Sequence, residues 1–194
     1  MTTADVPVLA LVRHGETDWN RARRIQGRTE VPLNDTGREQ ARGAAATLAA
    51  HAWASVHASP LGRAVETAEI IAAGLGLAAP TINDGLWERD FGEAEGLSVP
   101  DIEARWPGLT GIPGAESLEA VAERSAAAIA ALYAAAPSGI VVAHGAMLRA
   151  GIGRLTGVDV PRILNGEIWL LRREPTGYAA TQLEAPAASP LLQS

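Results

Sequence analysis

The chain alternates between short apolar runs and longer stretches with helical periodicity. Val8-Leu9-Ala10-Leu11-Val12 is a continuous apolar run that breaks abruptly at Arg13-His14-Gly15. Such a run reads as a buried strand that delivers ionisable side chains at its carboxyl end. A polar, Arg-rich loop follows over 18–34. Thr36-Gly37-Arg38-Glu39 then has the form of a capping box, opening an Ala-rich helix to about residue 50. Residues 53–59 read as a second strand. Ser59-Pro60, with Ser as N-cap and Pro at the first helical position, starts a helix. Its Ala64, Thr67, Ala68, Ile71 and Leu75 repeat at helical spacing.

Residues 81–83 form a weak strand, and 86–96 read as loop with partial strand. A short helix over 98–106 is ended by Pro107, and a Gly/Pro loop covers 108–114. A long helix over 117–135 carries Leu118, Val121, Ala122, Ser125, Ile129, Leu132 and Tyr133 on one stripe. Residues 139–143 repeat the opening design, an apolar strand ending in His144-Gly145, and 147–156 continue as helix. Residues 168–172 and 178–183 read as a closing antiparallel pair. Strands alternating with helices predict an α/β domain: a three-layer α/β/α sandwich on a mostly parallel sheet. It spans 1–184 as one unit, with a mobile Pro/Ala tail over 185–194. No repeat of solenoid length and no linker divides it.

Composition narrows the function. A chain of 194 residues suits one compact domain, and its net charge of −6 argues against a nucleic-acid partner. Without cysteine there is no disulfide framework and no thiolate nucleophile. All 16 basic residues are Arg, which excludes Lys-based phosphate loops and Schiff-base chemistry. No apolar run approaches the ~18 residues of a membrane helix. The first residues lack the basic and apolar regions of a signal peptide, and the absence of cysteine fits the cytoplasm.

The candidate chemistry sits at strand tips. In a parallel sheet, Arg13, His14, Arg63 and His144 can converge on one pocket at the carboxyl edge, where ligands bind in open α/β sheets. Two guanidinium forks and two imidazoles form a cup for a tetrahedral dianion. One imidazole can attack phosphorus while the other groups hold the equatorial oxygens. The leaving oxygen then needs a proton, and Glu88 is the best placed carboxyl group, with Glu16, Glu93 and Glu95 as neighbours in sequence. A zinc pair lacks both helical His spacing and a third ligand. His51 and His57 carry no motif and read as structural. Among Arg21, Arg23, Arg24, Arg28 and Arg89, one or two can meet an anionic substrate while a solvated face accounts for the rest.

These residues fall in motifs that resemble the histidine phosphatase superfamily, the phosphoglycerate-mutase-like family, in its phosphatase branch. The likeness runs through Leu11-Val12-Arg13-His14-Gly15-Glu16-Thr17, then Asn20 and Gln26-Gly27, then Pro32-Leu33-Asn34-Asp35-Thr36-Gly37. It continues through Ser59-Pro60-Leu61-Gly62-Arg63 to Thr67-Ala68, and through Leu86-Trp87-Glu88-Arg89-Asp90-Phe91-Gly92 with Glu95-Gly96. Pro113-Gly114-Ala115-Glu116-Ser117 and Val142-Ala143-His144-Gly145 complete the order. Any one motif is weak; the ordered set, over about residues 8–156, is specific.

The resemblance implies a phosphoglycerate-mutase-like fold and a metal-independent phosphomonoesterase acting on small phosphorylated metabolites. His14 becomes the phosphohistidine, while Arg13, Arg63 and His144 bind the phosphoryl group. Glu88 is the acid and then the base. Asn20, Gln26, Gly27 and Gly145 line the substrate side. No cofactor is implied, and a homodimer is allowed. A phosphoglycerate mutase is the alternative; mutases of the family carry a long insertion where this chain has only residues 97–112. A non-catalytic phosphate-binding module is a remote third reading.

Overall fold

A computed structural model describes residues 7–184; the tail predicted over 185–194 lies outside the described residues. In chain order the elements are β1 (Val8–Arg13), α1 (Asp18–Arg21), α2 (Asp35–Leu48), β2 (Ser55–Ala58), α3 (Gly62–Leu75) and β3 (Thr81–Ile82). They continue with α4 (Val99–Arg105), α5 (Leu118–Ala135), β4 (Gly139–Ala143), α6 (Gly145–Thr156), β5 (Ile168–Glu174) and β6 (Gly177–Leu183). One sheet has the order β3-β2-β4-β1-β5-β6. Its first four strands run parallel, and β5 and β6 close it antiparallel.

Strand alternation explains the three layers. Ala10 and Val12 of β1 face one side, with Val56, Ala58, Ile140 and Val142. There they meet Ala44, Ala45 and Leu48 of α2 and Ala64, Ala68 and Ile71 of α3. Leu9 and Leu11 face the other way, with Val141 and Ala143, onto Ile129 and Leu132 of α5 and Met147, Leu148 and Ile152 of α6. A smaller cluster of Phe91, Ala94, Ile102 and Ile112 seats α4 beside the carboxyl edge. The α/β/α sandwich predicted from the hydrophobic pattern is the observed fold. No helix among the described residues is long and apolar enough to cross a membrane.

Several local expectations are corrected. The N-cap of α2 is Asn34, not Thr36: the Asn34 side chain accepts from the Gly37 N–H at 2.9 Å, which puts Thr36 inside the first turn. Ser59 does not cap α3. Its Oγ accepts from the Leu61 N–H at 3.4 Å, closing a turn before the helix, which begins at Gly62 with Leu61 at the N-cap position. The stretch 18–34 is not all loop: Thr17 and Asn20 form a capping box around the single turn of α1. Residues 86–96 hold no strand; a 3₁₀ turn at Gly92–Ala94 shapes them, after another at Asp84–Leu86.

The β1 tip is fixed by backbone against backbone. A Cβ on Gly37 would stand 2.2 Å from the Glu16 carbonyl oxygen, and one on Gly15 would stand 2.2 Å from the Gly37 carbonyl oxygen. The Gly15 N–H donates to Thr67 Oγ1 of α3 at 3.1 Å. Gly37→Ala is therefore expected to destabilise the fold by about 1–3 kcal/mol through overpacking, read as a lower urea midpoint at unchanged slope.

Candidate active site

Register brings the functional tips together. β4 lies between β1 and β2, pairing Arg13 with Ala143 and Ala58 with Val142. The next residues, His14, His144 and Ser59, therefore leave the sheet side by side. The His14 and His144 rings sit 5.2 Å apart between centroids. The first turn of α3, which follows β2, carries Arg63 onto the same edge: its Nε lies 3.3 Å from His14 Nε2.

The tautomer of His14 follows from its partners. Nδ1 lies 2.7 Å from the Gly15 carbonyl oxygen, which can only accept, so Nδ1 carries the proton. Nε2 faces the Arg63 Nε–H, which can only donate, so Nε2 presents its lone pair. Burial, then the positive charges of Arg63 and Arg13, push the His14 pKa well below the usual histidine value. The ring is thus neutral, oriented and nucleophilic at Nε2.

The two arginines are held differently. Arg63 is buried and donates to the Thr29 carbonyl at 2.9 Å and the Gly27 carbonyl at 2.7 Å, which ties the 26–29 loop to α3. Glu95 clasps the same loop through the N–H groups of Arg28 and Thr29 and the Thr29 hydroxyl. Only glycine fits at 27: its φ is +54°, and a Cβ would fall 1.8 Å from Glu95 Oε1. Arg13 donates from Nη1 to the Ile163 carbonyl at 2.7 Å, and its Nε is buried without a partner. Burial above all, with Arg162 and Arg63 adding to it and Glu88 opposing, pushes the Arg13 pKa down to about 10.

His144 stands behind His14, fully buried, and does not line the cavity. Its Nε2 pairs with the Ser59 hydroxyl at 2.7 Å, and its Nδ1 has no partner. Ser59→Ala is expected to lower kcat by roughly 3- to 10-fold, the worth of one hydrogen bond that orients the ring, as read with p-nitrophenyl phosphate. Burial, then the charges of Arg63, His14 and Arg13, hold the His144 pKa well below its usual value too.

Acid sensitivity follows. The unfolded chain protonates both rings near pH 6.5, while the folded chain keeps them neutral below that. Stability is full above about 6.5 and is lost as the pH falls, by up to roughly 1.4 kcal/mol per unit for each ring. Calorimetry from about pH 7.5 to 5.5 should show a falling midpoint, with a shallower fall in His144→Asn.

Glu88 is placed by the far side of the site. Its carboxylate accepts from the N–H groups of Arg89, Ala146 and Met147, the last two in the first turn of α6. Its carbonyl is gripped by Arg124 of α5, which also donates to the Trp87 carbonyl and forms a bidentate pair with Glu116. Burial acts to raise the Glu116 pKa, but the hydrogen bond and charge of Arg124 outweigh it and hold it low.

Between these groups lies a cavity of about 270 Å³, lined by Arg13, His14, Arg63 and Glu88. Asn20, Gln26, Gly27 and Gly145, the remaining candidates from the sequence, line it as well. Gln26 is buried with its Oε1 unpaired. Asn20 Oδ1 accepts from Asn165 Nδ2 at 3.0 Å, and the same Nδ2 reaches the His14 carbonyl at 3.0 Å. A Cβ on Gly145 would crowd Arg13 Nε at 3.2 Å. The orphaned Arg13 Nε–H suits an oxyanion, which accepts, whereas the Gln26 Oε1 calls for a donor such as a substrate hydroxyl.

Sequence reasoning missed Asn165, Arg124 and the Ser59–His144 pair. For Arg124 there was a signal: it is a cation within an Ala-rich helix, a few residues after Glu116.

Comparison with known proteins gives the family. The model of the histidine phosphatase superfamily, branch 1, matches residues 9–183. An uncharacterized phosphatase, PhoE of Bacillus subtilis, is 39% identical over 153 residues, covering 78% of each chain. Phosphoglycerate mutase-like protein 4 of Arabidopsis thaliana is 33% identical over 194 residues, covering 87% of this chain and 84% of its own. The solved mycobacterial glucosyl-3-phosphoglycerate phosphatase, in complex with VO3, superposes with a TM-score of 0.81 at 28% identity, covering 93% of this chain and 100% of its own. A strand-tip histidine between two buried arginines, and a family model spanning nearly all the described residues, together show that this chain belongs to the histidine phosphatase superfamily.

Proposed function

We propose that this phosphatase of small phosphorylated metabolites works by double displacement at His14. The Nε2 lone pair attacks phosphorus, the P–O ester bond breaks, and the leaving oxygen takes its proton from Glu88. Water then attacks the phosphohistidine. Glu88 accepts a proton from that water, the P–N bond breaks, and its electron pair returns to Nε2. Arg13 and Arg63 offset the charge on the equatorial oxygens, which leaves no role for a metal. The unpartnered Nε of Arg13 supports its assignment to the phosphoryl group. His144, read from the sequence as a further phosphoryl ligand, lies behind His14 outside the cavity lining and is better placed to position the His14 ring. Asn20, Gln26, Gly27 and Gly145 face the remainder of the substrate. The observation that carries the reading is the His14 ring, neutral, with Nδ1–H fixed on the Gly15 carbonyl and the Nε2 lone pair on the cavity side, where it accepts a long 3.3 Å hydrogen bond from Arg63 that an incoming phosphoryl group replaces.

Glu88→Gln tests the acid. It is expected to slow esters of basic alcohols far more than p-nitrophenyl phosphate, whose leaving group needs little protonation. Equal slowing of both removes Glu88 from the role.

The mutase-like relative favours one competing reading, return of the phosphoryl group to the same metabolite. That chemistry needs water kept off the phosphoenzyme. Between Gly96 and Pro113, the region of the family's insertion, this chain has only α4 and a 3₁₀ turn at Pro107–Leu109. Conversion of 3-phosphoglycerate to 2-phosphoglycerate under a bisphosphate primer, without net phosphate release, would overturn hydrolysis. One domain over 1–184 carries this chemistry, supported by the single sheet. The net charge of −6 supports the absence of a nucleic-acid partner, and the lack of cysteine is compatible with the cytoplasm. The outer edge of β6, which pairs with no strand among the described residues, is compatible with a homodimer, which sedimentation reads directly.

A further inference from the structure

We infer that the substrate carries a second anionic group, a carboxylate or another phosphate, held at the cavity mouth by Arg23 and Arg162. This rests on the phosphatase reading and names the class of ester it takes. Six of the 16 Arg residues line this one cavity: Arg13, Arg23, Arg24, Arg63, Arg149 and Arg162. Glu88 is the one carboxylate among the lining residues, and the protein as a whole is acidic. Positive charge is therefore gathered here against the overall balance, and a concave site focuses that field on an incoming anion.

Arg13 and Arg63 account for the phosphoryl group, and the outer four are not equivalent. Arg24 donates from Nη1 to the Gly96 carbonyl at 2.7 Å. Arg149 donates from Nε to the Val160 carbonyl at 2.7 Å and has Asp159 at 3.6 Å. Arg23 and Arg162 line the cavity, yet among the described residues neither side chain has a hydrogen-bonding or ion-pair partner. Solvent alone accounts for a lone surface arginine; two unpaired guanidinium groups facing one hollow with four more call for an anion.

Their backbones fix where they stand. Arg162 precedes Ile163, whose carbonyl anchors Arg13 Nη1, so it adjoins the phosphoryl site through one peptide unit. Its charge also helps to push the Arg13 pKa down, so the two cations share one field. Arg23 has φ +55°, the left-handed region that a side chain rarely adopts. Its N–H donates to the Asn20 carbonyl and its own carbonyl accepts from the Val99 N–H, so the turn is clamped on both sides. Strain held by such clamps beside a binding site is a feature of ligand-contacting turns. A guanidinium offers donors only, so a neutral polyol would leave both charges unmet, whereas a carboxylate or phosphate satisfies them bidentately.

The test compares 3-phosphoglycerate with glycerol 3-phosphate, two primary-alcohol esters that differ in the distal carboxylate, with p-nitrophenyl phosphate as reference. At low ionic strength kcat/KM is expected to favour the carboxylate ester by about tenfold or more, and added salt should shrink the preference. Arg23→Gln and Arg162→Gln should each narrow the gap, and the double variant should treat the two esters alike. Hydrolysis of both esters at one rate, or a loss shared equally by both in the variants, overturns the second-anion inference and leaves the phosphatase reading standing. Hydrolysis of none of the three compounds overturns the phosphatase reading itself.

Discussion

His14→Ala is expected to lower hydrolysis of p-nitrophenyl phosphate by roughly 10⁴-fold or more. The ring supplies the nucleophilic lone pair: the Gly15 carbonyl holds Nδ1–H, which leaves Nε2 unprotonated beside the cavity, accepting only the long contact from Arg63 Nε. No cysteine exists to substitute for it, and His144 stands behind it with Nε2 engaged by Ser59. The loss belongs in kcat, while phosphate binding survives because Arg13 and Arg63 remain. Steady-state kinetics together with calorimetric titration of inorganic phosphate separate the two. A variant that retained a tenth of the activity would place the nucleophile elsewhere.

Arg63→Ala is expected to damage both function and fold. The guanidinium is 1% exposed and makes three contacts: with His14 Nε2 and with the Gly27 and Thr29 carbonyls. Its removal leaves two carbonyls unpaired and takes a buried cation from the developing charge of the transferring phosphoryl group. The expected cost is about 2–4 kcal/mol of stability and roughly 10³-fold in kcat/KM. Arg63→Lys should recover little activity, because an ammonium cannot span both carbonyls and a phosphoryl oxygen as the planar fork does. Urea unfolding and kinetics on the same preparations check both effects.

Much of this was legible because the informative patterns are local. An apolar strand that stops at Arg-His-Gly announces its own tip, and the periodic faces of 64–75 and 121–133 declare which side of each helix is buried. Leu118, counted on the same stripe, is instead 52% exposed at the start of α5, before the helix meets the sheet. The convergence of His14 with His144 needed only the assumption of a parallel sheet, since both tips follow strands that became neighbours in register. What escaped notice is non-local. The Ser59 hydroxyl has two plausible uses, as a helix cap or as a partner for a distant ring, and local rules favour the cap. Only the placement of β4 between β1 and β2 decides for His144. Asn34 outcompeted Thr36 as cap because the Asn34 N–H is already engaged by the Glu16 carbonyl across the β1 tip. Arg124 grips the Trp87 and Glu88 carbonyls, and Asn165 bridges the His14 carbonyl and Asn20. Neither contact leaves a mark in hydrophobic periodicity.

Covalent transfer through His14 is most directly tested by rapid alkaline quench of the enzyme during turnover of p-nitrophenyl phosphate, followed by peptide mass spectrometry. The expected result is a phosphoryl group on His14 Nε2, stable to alkali, lost in acid and absent from His14→Ala. Turnover at full rate with no phosphopeptide and no pre-steady-state burst of nitrophenol, or a phosphoryl group on any residue other than His14, would contradict it.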